Sequence, residues 1–197
     1  AQKSILTAQE TAGHVRYQML ETLQQFGSEQ LERGGRRSEA LERHRAHFTE
    51  LASQGYAVRF GDHQREWHEL LLRELGNLRV ALDTSLSSAG MVASGLELAA
   101  DLWFFWAASG RTEEGRQWLD RGLQLAPTAT PIRTRALEMS AYLCLMQDAL
   151  VTAEPMIAEA RSAAEKQADP RNLAWATHLV AMFALSEGDL VGAQPLF

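Results

Sequence analysis

Leu150-Val151-Thr152-Ala153-Glu154-Pro155-Met156-Ile157 returns forty positions later as Leu190-Val191-Gly192-Ala193-Gln194-Pro195-Leu196-Phe197. Leu, Val, Ala and Pro are identical at equivalent places, and Met-Ile becomes Leu-Phe with its apolar character kept. A fixed period of this size marks stacked repeats, each a supersecondary unit that cannot bury its own apolar face and leans on its neighbour. Scaffolds of this kind present a surface more often than they perform chemistry.

Working outward from the two octets, the spacing predicts helices over 96–109 and 112–126 around a Gly110-Arg111 turn, the second ended by Pro127. Thr112 is read as an N-cap, with Glu113 and Glu114 behind it where the helix dipole is positive. A second pair covers 133–147 and 149–166, broken by Asp169-Pro170. A third covers 172–187 and 189–197 and is cut within its second helix, which implies a longer parent protein.

Aligned on Gly110, Asp148 and Gly188, a small-x3-large element recurs as Gly115/Leu119, Ala153/Ile157 and Ala193/Phe197. A small residue lets two helix backbones approach, and the large one fills the adjoining hole. The spacing is similar to the A-x3-F element of tetratricopeptide (TPR) repeats, with Pro127 at the place of that consensus's terminal proline. The periods of 38 and 40 are longer than that repeat's, and HEAT-like pairing is the alternative on period alone. Pro155 and Pro195 share a repeat position, so each either kinks its helix or marks a later helix start.

The N-terminal part reads differently. Lys3–Thr7 and His14–Leu20 are β-prone runs around a Glu-Thr-Ala-Gly turn, which predicts a hairpin. Leu20, Leu23, Phe26 and Leu31 then give helical spacing up to Gly34-Gly35. A helix from Ser38 as N-cap carries Leu41, His44, Phe48 and Leu51 to a stop at Gly55. The next, capped by Asp62, buries Trp67, Leu70, Leu71, Leu75, Leu78 and Leu82. The expected organisation is a hairpin and helix over 1–35, a connecting helical pair over 36–90 and repeats over 91–197. The expected fold class is all-α: a right-handed superhelix of antiparallel helix pairs with a small N-terminal β-hairpin.

The formal net charge of −6 is unevenly placed. Residues 1–80 hold eleven Lys/Arg against eleven Asp/Glu, and residues 81–197 hold eight against fourteen. An acidic repeat region repels phosphates, which argues against direct nucleic-acid contact. Arg33, Arg36 and Arg37 form the densest basic cluster, but without interleaved aromatics they read as a solvated loop. Cys144 is the single cysteine, set among Leu143, Leu145 and Met146, so it reads as a small core residue in a reducing compartment. Ala1–Thr11 lacks the basic start and apolar run of a secretory signal and the longest nearly uncharged stretch is too short to span a bilayer, so a cytoplasmic location with no membrane partner is expected.

Two strings carry a family likeness. Lys3-Ser4-Ile5-Leu6, followed by Arg16-Tyr17-Gln18-Met19-Leu20-Glu21-Thr22-Leu23-Gln24-Gln25-Phe26, resembles the wing hairpin and next helix that close the winged-helix part of bacterial STAND-type NTPase regulators, the MalT/AfsR/large-LuxR-like group. Trp67-x3-Leu71-x2-Glu74-x2-Asn77-Leu78-Arg79-x-Ala81-Leu82 resembles the segment at the entrance to that family's helical repeats. Trp106, Gly110, Glu114-Gly115-Arg116 and Trp118-Leu119 resemble its first repeat. The resemblance implies a segment joining the edge of a nucleotide-controlled switch to a sensor superhelix, with the NTPase and winged-helix module as an intramolecular partner. The Walker A loop and a C-terminal helix-turn-helix are both absent from these residues, so neither ATP hydrolysis nor DNA binding carries over.

Catalysis and metal binding find little support. His44 and His47 share a helix face, with His63 and His68 nearby in sequence, but no HExxH or CxxC pattern supplies further ligands. The pairs Glu113/Glu114 and Asp83/Glu97 read as cap and solvated surface, and Cys144 has no base close in sequence. No cofactor, metal or catalytic residue is expected in this segment. Trp67, Trp103, Trp106 and Trp118 fall on apolar stripes and read as core. If the repeats stack as TPR units do, the first helices place Phe104, Arg135, Glu138, Tyr142, Met146, Trp175, His178 and Met182 on a concave face suited to a protein, peptide or small-molecule effector. The bland alternative is that a further repeat or the NTPase module covers them. The expected function is a non-catalytic sensor module of a signalling or transcriptional regulator. The alternatives are a constitutive scaffold or oligomerisation surface, or an accessory domain that completes a catalytic site elsewhere in the parent.

Overall fold

The computed structural model describes residues 6–11 and 14–197. The chain divides into two compact units, Ala1–His44 and Arg45–Phe197, and apart from one strand pair the described residues form an all-α protein. In the first unit β1 (Leu6–Thr11) runs antiparallel to β2 (His14–Met19), in a register that opposes Leu6 to Met19 and Thr11 to His14. The stretch 1–5 and the Ala12-Gly13 part of the expected turn lie outside the described residues. Helix α1 (Glu21–Arg33) buries none of its side chains within this unit, and Phe26 is 56% exposed. Gly35 turns the chain at φ +63, a region open to glycine for want of a Cβ. Helix α2 (Arg37–Ala57) follows.

The second unit is built on α2's buried Phe48, Ala52 and Gly55 and on the helices after it. Gly55 does not stop α2, as its type suggested. It lies within the helix because a Cβ there would press on Leu71 and Trp67 at 3.3 and 3.4 Å, so the missing side chain permits close packing. Two helices expected to be continuous are each interrupted. Helices α3 (Gln64–Arg73) and α4 (Leu75–Leu86) part at Glu74, and α5 (Val92–Asp101) and α6 (Trp103–Ala108) part at Leu102. Both junction residues have ψ near 0, and the bond from Leu102 N–H to the Leu98 carbonyl stretches to 3.3 Å. The apolar stripe runs on through each bend, which is why periodicity alone did not show it. Asp62 caps nothing, since α3 opens at Gln64 without a side-chain cap.

Then come α7 (Thr112–Leu125), α8 (Pro131–Leu145), α9 (Leu150–Gln167), α10 (Pro170–Ser186) and the short α11 (Leu190–Ala193), which passes into a 3-10 turn at Gln194–Leu196. Helix α8 packs against α7 and α9, and also against α5 and α10, so the first helices of successive pairs touch one another. Gly110, Asp148 and Gly188, the three residues on which the repeats align, all have positive φ (67, 56 and 83). Each pair therefore turns through the same left-handed residue, a strain that Asp tolerates better than most side chains. Gly115, Ala153 and Ala193 are all buried at the helix crossings, and a Cβ on Gly115 would lie 2.6 Å from the Trp106 ring.

Asp169-Pro170 proves to start a helix as well as end one. Asp169 accepts from the N–H groups of Arg171 and Asn172, and Pro170 occupies the first helical position, where a missing N–H costs nothing. Thr130-Pro131 does the same for α8. Thr112 is not a cap: Arg111 precedes α7 without a side-chain bond, and the Thr112 hydroxyl instead accepts from Gln147 at 2.8 Å. Pro155 lies inside α9, six residues in, whereas Pro195 sits in the 3-10 turn, so the two equivalent prolines end in different backbones. Glu114, in the first turn of α7, binds Arg79 of α4 through two bonds of 2.6 and 2.8 Å, and that pairing holds its carboxyl below the usual range. Trp103 and Trp106 are buried while Trp67 and Trp118 are half-buried, and Cys144 is a free, buried thiol whose pKa burial pushes up.

Candidate functional site

Helices α5, α6, α8 and α10 of the second unit bring together most of the residues that repeat spacing singled out. Arg135, Glu138 and Tyr142 follow one another at successive turns of α8, since steps of three and four residues return to the same helix face. Arg135 is 19% exposed and donates at 2.5 Å to Asp101, which is 5% exposed, on α5. Tyr142 meets Trp103 edge-on at 4.9 Å. Trp175 of α10 meets the same Trp103 at 5.6 Å and His178 at 5.7 Å, and His178 continues to Phe197 at 5.5 Å. The rings thus form an unbroken edge-to-face chain, a geometry aromatic quadrupoles favour. A shallow hollow of about 280 Å³ lies against Ala174, Trp175 and His178.

Three predicted residues lie apart from this chain. Phe104 is buried in the core, beside Gly55, at the floor of a separate 260 Å³ hollow with His68 and Ala108. Met146 is 50% exposed at the C-terminus of α8. Met182 is half-buried against the small core formed by Ala141, Cys144, Ile157 and Leu179.

Glu138 is fully buried, and neither carboxylate oxygen has a hydrogen-bond partner among the described residues. Burial, helped by the negative charge of Asp169 and opposed by Arg135 and Arg171, pushes its pKa up to about 8. An unpaired buried carboxylate is far costlier than a buried carboxylic acid, so this group holds its proton at neutral pH. Burial also pushes the Asp101 carboxyl up, with the Arg135 guanidinium pulling the other way.

Repeat spacing missed what surrounds Arg135. Tyr56, near the end of α2, has the guanidinium carbons of Arg59, Arg135 and Arg171 at 3.8, 4.3 and 5.9 Å from its ring centre. Such stacking uses the negative face of the ring. Arg171 Nη2 donates to the Tyr56 hydroxyl at 3.0 Å, and Arg59 Nη1 donates to the Tyr56 carbonyl at 2.6 Å. Tyr56 and Arg59 lie outside any repeat register, in a helix end and the loop after it. The only signal in the sequence was an aromatic-basic run, Tyr56-Ala57-Val58-Arg59-Phe60.

Among the described residues, no group of three His, Cys, Asp or Glu side chains is placed to hold a metal ion, and no helix is long and apolar enough to cross a membrane. No family model matches the chain. No solved structure matches it either. Three curated proteins do: two from Mycobacterium tuberculosis (strains ATCC 25618 / H37Rv and CDC 1551 / Oshkosh) and one from Mycobacterium bovis, all provisionally named HTH-type transcriptional regulators. Each is 31% identical over 183 residues, which is 87% of this chain and 20% of the relative. The chain therefore spans about one-fifth of the length of these relatives, and over most of its own length it is similar to a segment of proteins named as transcriptional regulators.

Proposed function

We propose that the chain is the non-catalytic sensor segment of a transcriptional regulator of the STAND NTPase type, in the large-LuxR-like group. On this reading the helix pairs continue as a TPR-like right-handed superhelix in the cytoplasm. The strand pair and α1 are the closing edge of a winged-helix part, and the face of α5, α6, α8 and α10 is the concave wall that receives an effector. The observation that carries it is that Tyr142, Trp175 and His178 join Trp103 in one edge-to-face chain across α6, α8 and α10, with the Arg135–Asp101 pair on the same α8 face. Similarity to proteins named as regulators supports the regulatory role. Bound effector would act by favouring one of two packings against the NTPase module.

A thermal-shift screen of small molecules and peptides, followed by calorimetry, tests the proposal. An effector at a hundred times its Kd adds about 2.7 kcal/mol to stability, so its binding raises the melting temperature measurably. A folded chain whose melting temperature moves with no compound or peptide in the panel would favour the constitutive scaffold instead.

A further inference from the structure

The guanidinium cluster around Tyr56 is unusual in what it lacks. Arg135 has Asp101 as its counter-charge. Arg59 and Arg171 have no ion pair among the described residues: the Arg59 guanidinium bonds only a backbone carbonyl, and that of Arg171 only the Tyr56 hydroxyl. Arg59 Nε is also buried without a partner. Burial and the charge of Asp169 hold the nearby Glu138 toward its neutral form, and Asp169 itself is engaged by the backbone N–H groups of Arg171 and Asn172, so among the described residues Asp101 is the one carboxylate ion-paired with any of the three guanidiniums. The crowding is felt by Arg59, whose pKa is lowered first by burial and further by the positive charges of Arg171 and Arg135.

Like charges gathered with so little internal compensation form a site complementary to an anion, and planar guanidiniums match the oxygens of carboxylates and phosphates. The ground beside them is apolar. Arg171 is followed one turn later by Trp175, about 6 Å along α10, and then by His178. Their hollow is lined by rings and by Ala174. One aromatic ring with an acid group at its end spans that distance.

We propose that Arg59 and Arg171, set on the ring of Tyr56, form a binding site for the oxyanion of a small ligand whose flat apolar body rests against Trp175. This rests on the effector-binding reading given above and narrows it to one ligand class, an aromatic carboxylate or phosphate.

Titration of the full 197-residue chain with phenyl phosphate and with benzoate separates the two acid types, while inorganic phosphate and benzyl alcohol test each half of the ligand alone. The readout is the set of tryptophan indole N–H signals in two-dimensional NMR, assigned with Trp103→Phe and Trp175→Phe. Phenyl phosphate or benzoate is expected to shift the Trp175 signal saturably at millimolar concentration, more tightly than benzyl alcohol. Arg171→Gln, at an exposed position, should weaken that binding about tenfold with the melting temperature kept, and Arg59→Gln likewise. Since Arg59 is half-buried, Arg171→Gln carries the conclusion if Arg59→Gln fails to fold.

Absence of any shift up to about 50 mM, binding of benzyl alcohol as tight as that of the acids, or unchanged affinity in Arg171→Gln would each overturn the inference. These outcomes differ from failure of the broader reading. A neutral effector found by the thermal screen would sink the anion site alone, whereas a screen without any effector would sink the reading on which it rests.

Discussion

Replacing Glu138 by Gln should remove a pH dependence that the wild-type chain carries. The folded state holds this carboxyl near pKa 8 against an ordinary value of 4.5, because burial disfavours the ionised form. A raised folded-state pKa means the folded chain keeps a proton that the unfolded chain releases. The associated stability is thus complete below about pH 4.5, declines as pH rises, and is gone above about pH 8. The full difference is about 5 kcal/mol, of which about 3 kcal/mol falls between pH 6 and pH 9. Urea denaturation of both proteins at half-unit steps across that window measures it. The wild type should lose about 3 kcal/mol more than Glu138→Gln between the two ends. Any constant cost of burying the amide shifts one curve without changing the gap in slope. Parallel stability curves would mean instead that Glu138 is ionised and solvated in the folded protein.

Gly115→Ala should destabilise the chain by about 1–3 kcal/mol in urea melts, since the added methyl lands 2.6 Å from a buried indole. Gly76→Ala, in α4 with open space around the new Cβ, should instead stabilise by about 0.5–1 kcal/mol. Asp169→Ala, which removes the cap of α10, should cost about 1 kcal/mol, and by removing a negative charge near Glu138 it should also move that group's titration to lower pH. Asp148→Gly relieves a left-handed non-glycine turn and should raise stability by up to about 1 kcal/mol, read as a higher urea midpoint.

The repeat frame was readable because it rests on local chemistry. Gly110, Asp148 and Gly188 align the pairs in sequence and all turn through positive φ in the structure. Helix starts were less readable. Asp-Pro and Thr-Pro signal a break whether they close one helix or open the next, and only the bonds from Arg171, Asn172 and Arg133 show that they open one. The bends at Glu74 and Leu102 left no mark, because apolar spacing persists across them.

Counting along the first helices set Arg135, Glu138 and Tyr142 on one face of α8 and Trp175 and His178 on one face of α10, as helical periodicity requires. It also selected Phe104, which turns into the core beside Gly55, and Met146, which lies exposed at a helix end. Tyr56, Arg59 and Arg171 escaped it. Tyr56 and Arg171 are 115 positions apart in the chain, and a contact over that separation is set by tertiary packing that one sequence does not spell out.

Hydrogen–deuterium exchange on the chain, with and without the compound that most raises its melting temperature, tests the central claim that one face built from first helices receives a ligand. Slowed exchange is expected to concentrate in α8, α10 and residues 56–60. Protection confined to α7 and α9, or to the first unit, would contradict it.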